Sequence, residues 1–222
     1  MCGRFAITSP QAIQSAFHLR EEIAFPPRYN LAPSQTIPII KKAEGRGYHL
    51  AQVRWGLIPF WAKDPKIAFQ TINARAETLA EKPAFREAYR QRRCLIPATG
   101  FYEWQRKEAG KQPYFIRPKD RGLFAFAGLW EQWQAPGGEA VESATIITTC
   151  ANSLVARLHE RMPLIVKPEQ WGSWLDLVKD PIHDLNFLQP YDPRKILVYP
   201  VSRMVNDARH DSAACLKRID LR

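Results

Sequence analysis

The sequence lacks the short motifs that mark several large enzyme classes. Its 222 residues contain no GxSxG, no HExxH, no GxGxxG and no GxxxxGK followed by serine or threonine. These patterns carry the nucleophile of α/β-hydrolases, the zinc ligands of metalloproteases and the phosphate-binding loops of nucleotide-binding proteins. No motif therefore supports any of these classes.

Cysteine is scarce, and the four cysteines are widely separated, at positions 2, 94, 150 and 215. No two of them form a CxxC pair, and no His/Cys cluster has the spacing of a zinc site. We expect no disulfide framework, no metal and no cofactor.

Long apolar runs are also missing. No stretch approaches the roughly 18 apolar residues that cross a bilayer. The opening "MCGRFAITSP" has neither the charged nor the apolar region of a signal peptide. We expect a soluble, cytoplasmic protein without a membrane partner, associated with the nucleoid if its source is bacterial.

Acidic residues are outnumbered, since 22 Asp and Glu stand against 32 Lys and Arg and leave a formal charge of +10. Such a surplus attracts polyanions, and nucleic acid is the commonest polyanion inside cells. Seven Trp and seven Tyr favour the same interpretation, because single-stranded nucleic acid stacks on aromatic faces beside arginines. A merely basic, solvated surface is the alternative.

Nothing in the sequence divides the chain. Its 18 prolines are spread throughout, and there is no Gly/Ser linker and no internal repeat. We expect one domain over residues 2–222, present as a monomer. Strand-like runs with helices set between them predict an α+β fold, with a mostly antiparallel, barrel-like sheet at its core and several flanking helices.

Individual elements follow from local patterns. "TSPQAIQSAF" predicts a helix capped by Ser9 with Pro10 as its first residue, and "EEIAFPPRYNLAPSQ" is predicted to be loop. "TIPIIKK" and "YHLAQVRWGLI" should pair as strands, and "ARAETLAEKPAFREAYRQRR" is helical in pattern, with a break near Pro83. Further strands are expected at "CLIPATGFYEW", "PYFIRP", "GLFAFAGLW", "SATIITTCA" and "KILVYPVS", and short helices at "NSLVARLH" and "KPEQWGSWLDL".

Some polar residues stand where a core would prefer apolar ones. Glu103 lies between two aromatic residues in "GFYEW"; partial burial would raise its pKa and make it a general acid/base near neutrality, whereas an exposed strand glutamate is the alternative. Asn73 and Arg75 alternate in "TINARAET", which puts both on one side of an extended segment; a cap or turn is the alternative for Asn73. His159 in "LHERMP" is either functional or an ordinary surface or core histidine.

The amino terminus offers a different chemistry. Cys2 directly follows the start methionine, and we expect Met1 to be removed because the next side chain is small. Cys2 would then carry a thiol and a free α-amine, which titrate near ~8.5 and ~7.7 to 8.0, so each would be partly nucleophilic near neutrality. Together they can trap an aldehyde, first as a Schiff base and then as a thiazolidine ring. A disordered terminus without function is the alternative.

Seven blocks, taken in order, resemble one family. They are "MCGRF", "RYNLAP", "RWGLIPFW", "INARAET", "PATGFYEW", "LHERMPLIV" and "YPVSRMVN". In order and spacing they resemble the SOS response-associated peptidase family, the abasic-site processing proteins, over essentially the whole chain. The resemblance implies that Cys2 captures the aldehyde of an abasic deoxyribose in single-stranded DNA as a stable thiazolidine crosslink, which shields the lesion during the DNA damage response.

The resemblance also implies a role for each matching residue. Asn73 would orient the sugar and the cysteine amine, Glu103 would act as acid/base in opening the sugar and around the Schiff base, and His159 would assist ring closure and its reversal. Arginines at three positions would hold phosphates, and four further residues would shape the strand path. These seven DNA-binding residues are Arg4, Arg75 and Arg161, then Asn30, Pro33, Trp61 and Trp104.

Three other functions stay open from the sequence. An amino-terminal cysteine hydrolase, such as a glutamine amidotransferase, also begins "MCG" and uses its free amine as a base. A protease that acts on other proteins or on its own leader, with autocatalytic loss of Met1, is a second alternative. The third is a noncovalent single-strand-binding module in which Cys2 has no chemical role.

Overall fold

The computed structural model describes residues 2–20, 23, 25–43, 45, 47–108, 110–177, 187 and 189–221. These residues form two β-sheets and three α-helices. The strands are β1 Phe5–Ile7, β2 Arg28–Leu31, β3 Thr36–Lys42, β4 Tyr48–Trp55, β5 Asn73–Arg75, β6 Arg93–Ala98, β7 Gly100–Lys107, β8 Gly110–Pro118, β9 Phe124–Gln134, β10 Ala140–Cys150, β11 Arg161–Pro163 and β12 Ile196–Pro200. The helices are α1 Pro10–Phe17, α2 Arg86–Gln91 and α3 Trp171–Leu175.

The larger sheet closes on itself. Its strand order is β11-β10-β4-β3-β6-β9, and β9 pairs again with β10. The ring of β10, β4, β3, β6 and β9 is therefore a barrel, while β5 and β11 attach to the far end of β10. Closure removes the free strand edges within the ring. The predicted α+β fold with a barrel-like core is confirmed.

The second sheet has the order β12-β8-β7-β1-β2 and is antiparallel throughout. It is joined to the barrel by aromatic packing, since the Phe5 ring lies 5.2 Å from Trp55 and 6.1 Å from Phe126, edge to face in both pairs. These pairs bury the start of β1 between the two sheets. The amino terminus thus begins inside the fold.

Several predicted elements are found as expected. Helix α1 begins at Pro10 and buries Ile13 and Phe17, although the Ser9 side chain makes no cap hydrogen bond. Strands β3 and β4 pair antiparallel from Thr36↔Arg54 to Lys42↔Tyr48. Predicted strands also appear as β8, β9, β10 and β12.

Three local predictions are wrong. Of the helical segment predicted over 74–93 with a break near Pro83, only the part after the proline contains an α-helix, α2, because residues 73–75 pair with β10 as strand β5 and Ala76–Thr78 form a single 3-10 turn. The loop predicted over 21–35 contains strand β2. "NSLVARLH" forms only the 3-10 turn Val155–Arg157.

The run "CLIPATGFYEW" is not one strand but two. Strand β6 belongs to the barrel and β7 to the second sheet, with the crossing at Thr99. A side chain at Gly100 would meet the Phe115 ring at 2.4 Å and the Ile116 carbonyl oxygen at 2.6 Å. Glycine is therefore needed where the chain changes sheet, because only glycine lets the backbone approach β8 this closely.

Among the described residues, none of the helices is both long and apolar enough to cross a bilayer.

Candidate active site

Cys2 lies in the extended segment that leads into β1. The Arg4 carbonyl accepts a hydrogen bond from the Tyr102 N–H at 3.0 Å, which sets the amino terminus alongside the first half of β7. The Cys2 side chain is fully buried, and burial, helped by the nearby charge of Glu103, raises the pKa of its thiol. The thiol is thus protonated near neutrality, in contrast to the partial ionisation expected from the sequence, because a charge is disfavoured where water is excluded.

Asn73 reaches Cys2 directly from the barrel. Its side-chain Nδ2 donates a hydrogen bond to the Cys2 carbonyl oxygen at 2.8 Å. Pairing of Asn73 with Ile146 of β10 holds the residue in an extended strand, not in the cap or turn that was the alternative. Its Oδ1 is buried and has no hydrogen-bond partner among the described residues, so this oxygen is available as an acceptor.

Glu103 is buried, with 3% of its surface exposed. Burial raises the pKa of its carboxyl group from 4.5 to about 7. Because both protonation states are then populated near neutrality, this group suits general acid/base chemistry. The exposed strand glutamate is excluded by this placement.

His159 stands just before β11 and lines the same cleft as Glu103. Its Nδ1 accepts the backbone N–H of Arg161 at 2.9 Å, which leaves Nε2 as the proton-bearing nitrogen of the neutral ring. Burial lowers the pKa of His159. The imidazole is therefore mostly neutral near pH 7.

The cleft itself has a volume of about 380 Å³. Besides Glu103 and His159 it is lined by Trp104, Arg106, Lys111 and Asn206. Sequence reasoning missed the last three of these residues. Trp104 and Arg106 alternate along β7, and Lys111 lies opposite Arg106 across the hairpin, so an alternating aromatic and basic pattern at a hairpin was the signal that could have identified Arg106 and Lys111.

Arg4 is held by a network at the edge of the cleft. Its Nη1 donates to Asn30 Oδ1 at 3.1 Å and to the Val205 carbonyl at 2.6 Å, and its Nη2 donates to the Asn206 carbonyl at 3.2 Å. Asn30 is fully buried, and its Nδ2 donates to three backbone carbonyls within residues 205–210. Asn30 therefore has no exposed surface for a DNA strand in this structure, and it is linked to the cleft by the hydrogen bond that it accepts from Arg4.

Arg75 and Arg161 lie on β5 and β11, two strands that pair with β10, but they differ in their ion pairs. Arg75 is exposed on β5 and forms no ion pair with another described residue. Arg161 donates to both carboxylate oxygens of Glu77, at 2.7 and 2.9 Å, and to the Thr148 carbonyl at 2.6 Å. These hydrogen bonds lower the pKa of Glu77, so Arg161 is already neutralised in the free protein.

The remaining predicted DNA-binding residues differ in whether they line the cleft. Trp104 is part of its wall and donates Nε1 to Asn206 Oδ1 at 2.7 Å. Trp61 is 48% exposed in the turn after β4 and is not among the residues that line the cleft. Phe60 and Phe69 are also exposed, at 55% and 62%, and Pro33 is partly exposed between β2 and β3. The structure thus brings Cys2, Asn73, Glu103 and His159 together, with Trp104 beside them.

The fold and site define a barrel-cored α+β protein in which Cys2 contacts an asparagine and lies near a buried carboxyl group. The chain belongs to the SOS response associated peptidase (SRAP) family, whose model matches residues 1–208. This confirms the resemblance found in the sequence.

Known relatives are similar to this protein over nearly the full chain. Abasic site processing protein YoqW of Bacillus subtilis (strain 168) is 45% identical over 218 residues, covering 96% of this chain and 97% of the relative. Abasic site processing protein HMCES of Xenopus tropicalis is 32% identical over an alignment of 267 residues, covering 100% of this chain and 79% of the relative. An X-ray structure of a protein from Bacteroides thetaiotaomicron superimposes with a TM-score of 0.87 at 29% identity, covering 98% of this chain and 100% of that one.

Proposed function

We propose that this protein processes abasic sites in single-stranded DNA, capturing the aldehyde of the abasic deoxyribose on Cys2 as a thiazolidine after Met1 has been removed. The observation that carries the proposal is the contact of Cys2 with Asn73 beside the buried Glu103. The names of the relatives YoqW and HMCES support the substrate class.

Opening of the sugar is the first task. Abasic deoxyribose is mostly a closed hemiacetal, and its ring opens only when a proton leaves the hydroxyl and another reaches the ring oxygen. With a pKa of about 7, Glu103 can hold or release that proton at neutral pH. The Oδ1 of Asn73, which has no hydrogen-bond partner within the described part of the chain, is an acceptor for a sugar hydroxyl or for the cysteine amine.

Capture then proceeds in two bond-forming steps. The Cys2 amine adds to the aldehyde carbon, and loss of one water molecule gives the C=N bond of a Schiff base. The thiol sulfur adds to the same carbon while the thiol proton is transferred to the nitrogen, which closes the thiazolidine ring without loss of further atoms. The buried thiol is protonated, so it needs a base, and the Glu103 carboxylate supplies one. Neutral His159 exchanges a proton with the ring nitrogen in closure and in reversal.

DNA is held around this centre by positive charge and aromatic surface. Arg4 and Arg75 are the phosphate-binding candidates nearest to Cys2 and Asn73 in the chain, and Arg161 joins them once it is released from Glu77. Arg106 and Lys111 add two cations to the cleft beside Trp104. Arginine binds phosphate without reading sequence, which suits a lesion that can occur at any base. Pro33, which is partly exposed, and Trp61, which is 48% exposed, are the further residues that we propose to contact the strand.

The test is the intact mass of the purified protein, alone and after mixing with single-stranded DNA that carries one abasic site. We expect a chain without Met1, and then an adduct equal to that chain plus the DNA minus one water. Cys2→Ala should give no adduct, while Cys150→Ala, which removes the one exposed cysteine among the described residues, should give the wild-type yield. Cys2→Ser keeps the amine and should give a complex that survives only after borohydride reduction.

Three outcomes would contradict the proposal. A retained Met1 blocks the amine as an amide and prevents thiazolidine formation. A complex that dissociates in hot detergent indicates a noncovalent single-strand-binding protein. Cys2-dependent release of ammonia from glutamine, with no DNA adduct, indicates an amidotransferase-like hydrolase.

A further inference from the structure

A second concave region lies at the other end of β8 from the cleft. It consists of two adjoining pockets of about 370 and 260 Å³ that share Arg117, Tyr199 and Leu216. We call it the β8 groove and define it by these three residues together with Thr8, Arg121 and Arg218. Its volume is that of a site for one or two small organic groups.

The groove carries positive charge without compensation. Arg117, Arg121 and Arg218 line it, and no Asp or Glu stands among its described lining residues. None of the three arginines forms an ion pair within the described part of the chain. Arg117 donates Nη1 to the Pro118 carbonyl at 2.8 Å, which orients its guanidinium and leaves other N–H groups for a ligand. Such a site suits a phosphate group, which arginine binds through two N–H donors.

The groove also has aromatic and apolar lining residues, Tyr199 and Leu216. The Tyr199 ring packs edge to face against the buried Phe115 ring, with centroids 5.9 Å apart, and is therefore held in place. Phosphate-binding donors beside an aromatic ring are the combination that single-stranded nucleic acid requires.

The groove and the side of the cleft formed by Trp104, Arg106 and Lys111 share one face of the second sheet. Lys111 lines the cleft and Arg117 the groove, and both stand at odd positions of β8, so their side chains point to the same face. Lys111 and Arg117 are six positions apart on β8, which at about 3.3 Å per strand residue is a distance of about 20 Å. At about 3.4 Å per nucleotide of a duplex-like strand, this distance corresponds to roughly six nucleotides. The segment after β12, which packs on the sheet between them through Val205 and Leu216, separates the two sites.

We propose that the β8 groove is a second nucleic-acid contact that holds phosphodiester groups of the same strand several nucleotides away from the cleft. The inference rests on the proposed function only for the identity of the ligand as single-stranded DNA. A free nucleotide carries the same phosphate and base chemistry, so the experiment separates the two sources.

The test measures the salt dependence of binding of the full-length protein to fluorescein-labelled (dT)24, which contains no lesion. The groove variant is Arg117→Gln with Arg121→Gln. Its matched control is Arg86→Gln with Arg90→Gln, which removes the same charge from exposed positions of α2 that line neither site. Loss of two phosphate contacts should reduce the slope of log K against log salt by about 1.4, at about 0.7 per contact. The control should keep the wild-type slope.

Three other results would each overturn the proposal. Equal slopes for the wild type and the groove variant mean that the groove does not touch the strand, and equal reductions in both double variants mean that only overall charge matters. Weakened binding of dTMP with an unchanged (dT)24 slope indicates a mononucleotide site instead. Because (dT)24 has no abasic site, failure of the covalent adduct would refute the proposed function without changing this measurement.

Discussion

The Asn73 side chain donates a 2.8 Å hydrogen bond to the carbonyl oxygen of Cys2, so a short strand attached to the barrel fixes the position of the amino terminus. Asn73→Ala removes this bond, whose net worth is of the order of 1 kcal/mol. If Asn73 orients Cys2 in the reaction, the rate of adduct formation at saturating abasic DNA should fall roughly fivefold to tenfold. A time course by denaturing gel measures this rate.

The affinity for undamaged single strands separates this positioning role from a purely structural one. If Asn73 only positions Cys2, that affinity should remain at the wild-type value in Asn73→Ala, because Asn73 contacts Cys2 and not the arginines. A wild-type rate at saturating DNA in a folded variant would exclude the positioning role.

Glu103→Gln tests the acid/base assignment. The amide preserves shape but cannot exchange the proton, so adduct formation should slow by roughly 10² to 10⁴, the range for loss of a general acid/base. Glu131→Gln is the matched control, since burial also raises the pKa of Glu131 but that residue lies away from the cleft in β9, paired with Arg92. Similar rates for both variants would remove Glu103 from the mechanism.

The same carboxyl group predicts a pH dependence of stability. Its pKa is about 7 in the folded protein against 4.5 for the free side chain, so between these values the folded state holds a proton that the unfolded state has lost. The contribution of this protonation to the free energy of unfolding is therefore fully present below pH 4.5 and is lost as the pH rises through about 7. Urea unfolding at several pH values should show a smaller loss of unfolding free energy over this window for Glu103→Gln than for the wild type. A parallel pH dependence in the two proteins would contradict the raised pKa.

His159→Ala should slow the reaction in both directions. Formation and reversal pass through the same Schiff base, and a neutral imidazole can donate or accept the proton in each. The measurement is a time course of adduct formation, and of DNA release from a preformed adduct with an aldehyde competitor that traps the freed protein. His49→Ala replaces an exposed histidine on β4 and should behave as the wild type. An effect on only one direction would argue against a shared intermediate at His159.

The Glu77–Arg161 ion pair predicts a gain of binding on mutation. Glu77→Gln frees the Arg161 guanidinium from its two carboxylate bonds, so the affinity for undamaged single strands should rise and the salt dependence should steepen by about 0.7. Glu142→Gln removes an equal charge from the Lys41 pair elsewhere and serves as the control. Arg75→Ala should flatten the salt dependence more than Arg161→Ala, because Arg75 forms no ion pair with any residue that the structure describes. Equal effects of Glu77→Gln and Glu142→Gln would show that only net charge changed.

Much of the site could be predicted from the sequence because its residues are in short, ordered blocks. Asn73 and Arg75 were expected on one side of an extended segment, and they stand at alternate positions of β5. Arg106 and Lys111 were missed, because their partnership across the β7–β8 hairpin depends on strand register.

By itself, the sequence determined the charge surplus, the α+β class, helix α1 and the presence of a thiol at position 2. Only the tertiary structure decided that residues 73–75 are a strand and not a helix, since pairing with β10 outweighs a weak local helical preference. Only the tertiary structure buried the Cys2 thiol and Glu103, because the exclusion of water depends on both sheets packing over them. The same holds for Arg161, whose positive charge is evident in the sequence, whereas its neutralisation by Glu77 depends on two segments meeting at the end of β10.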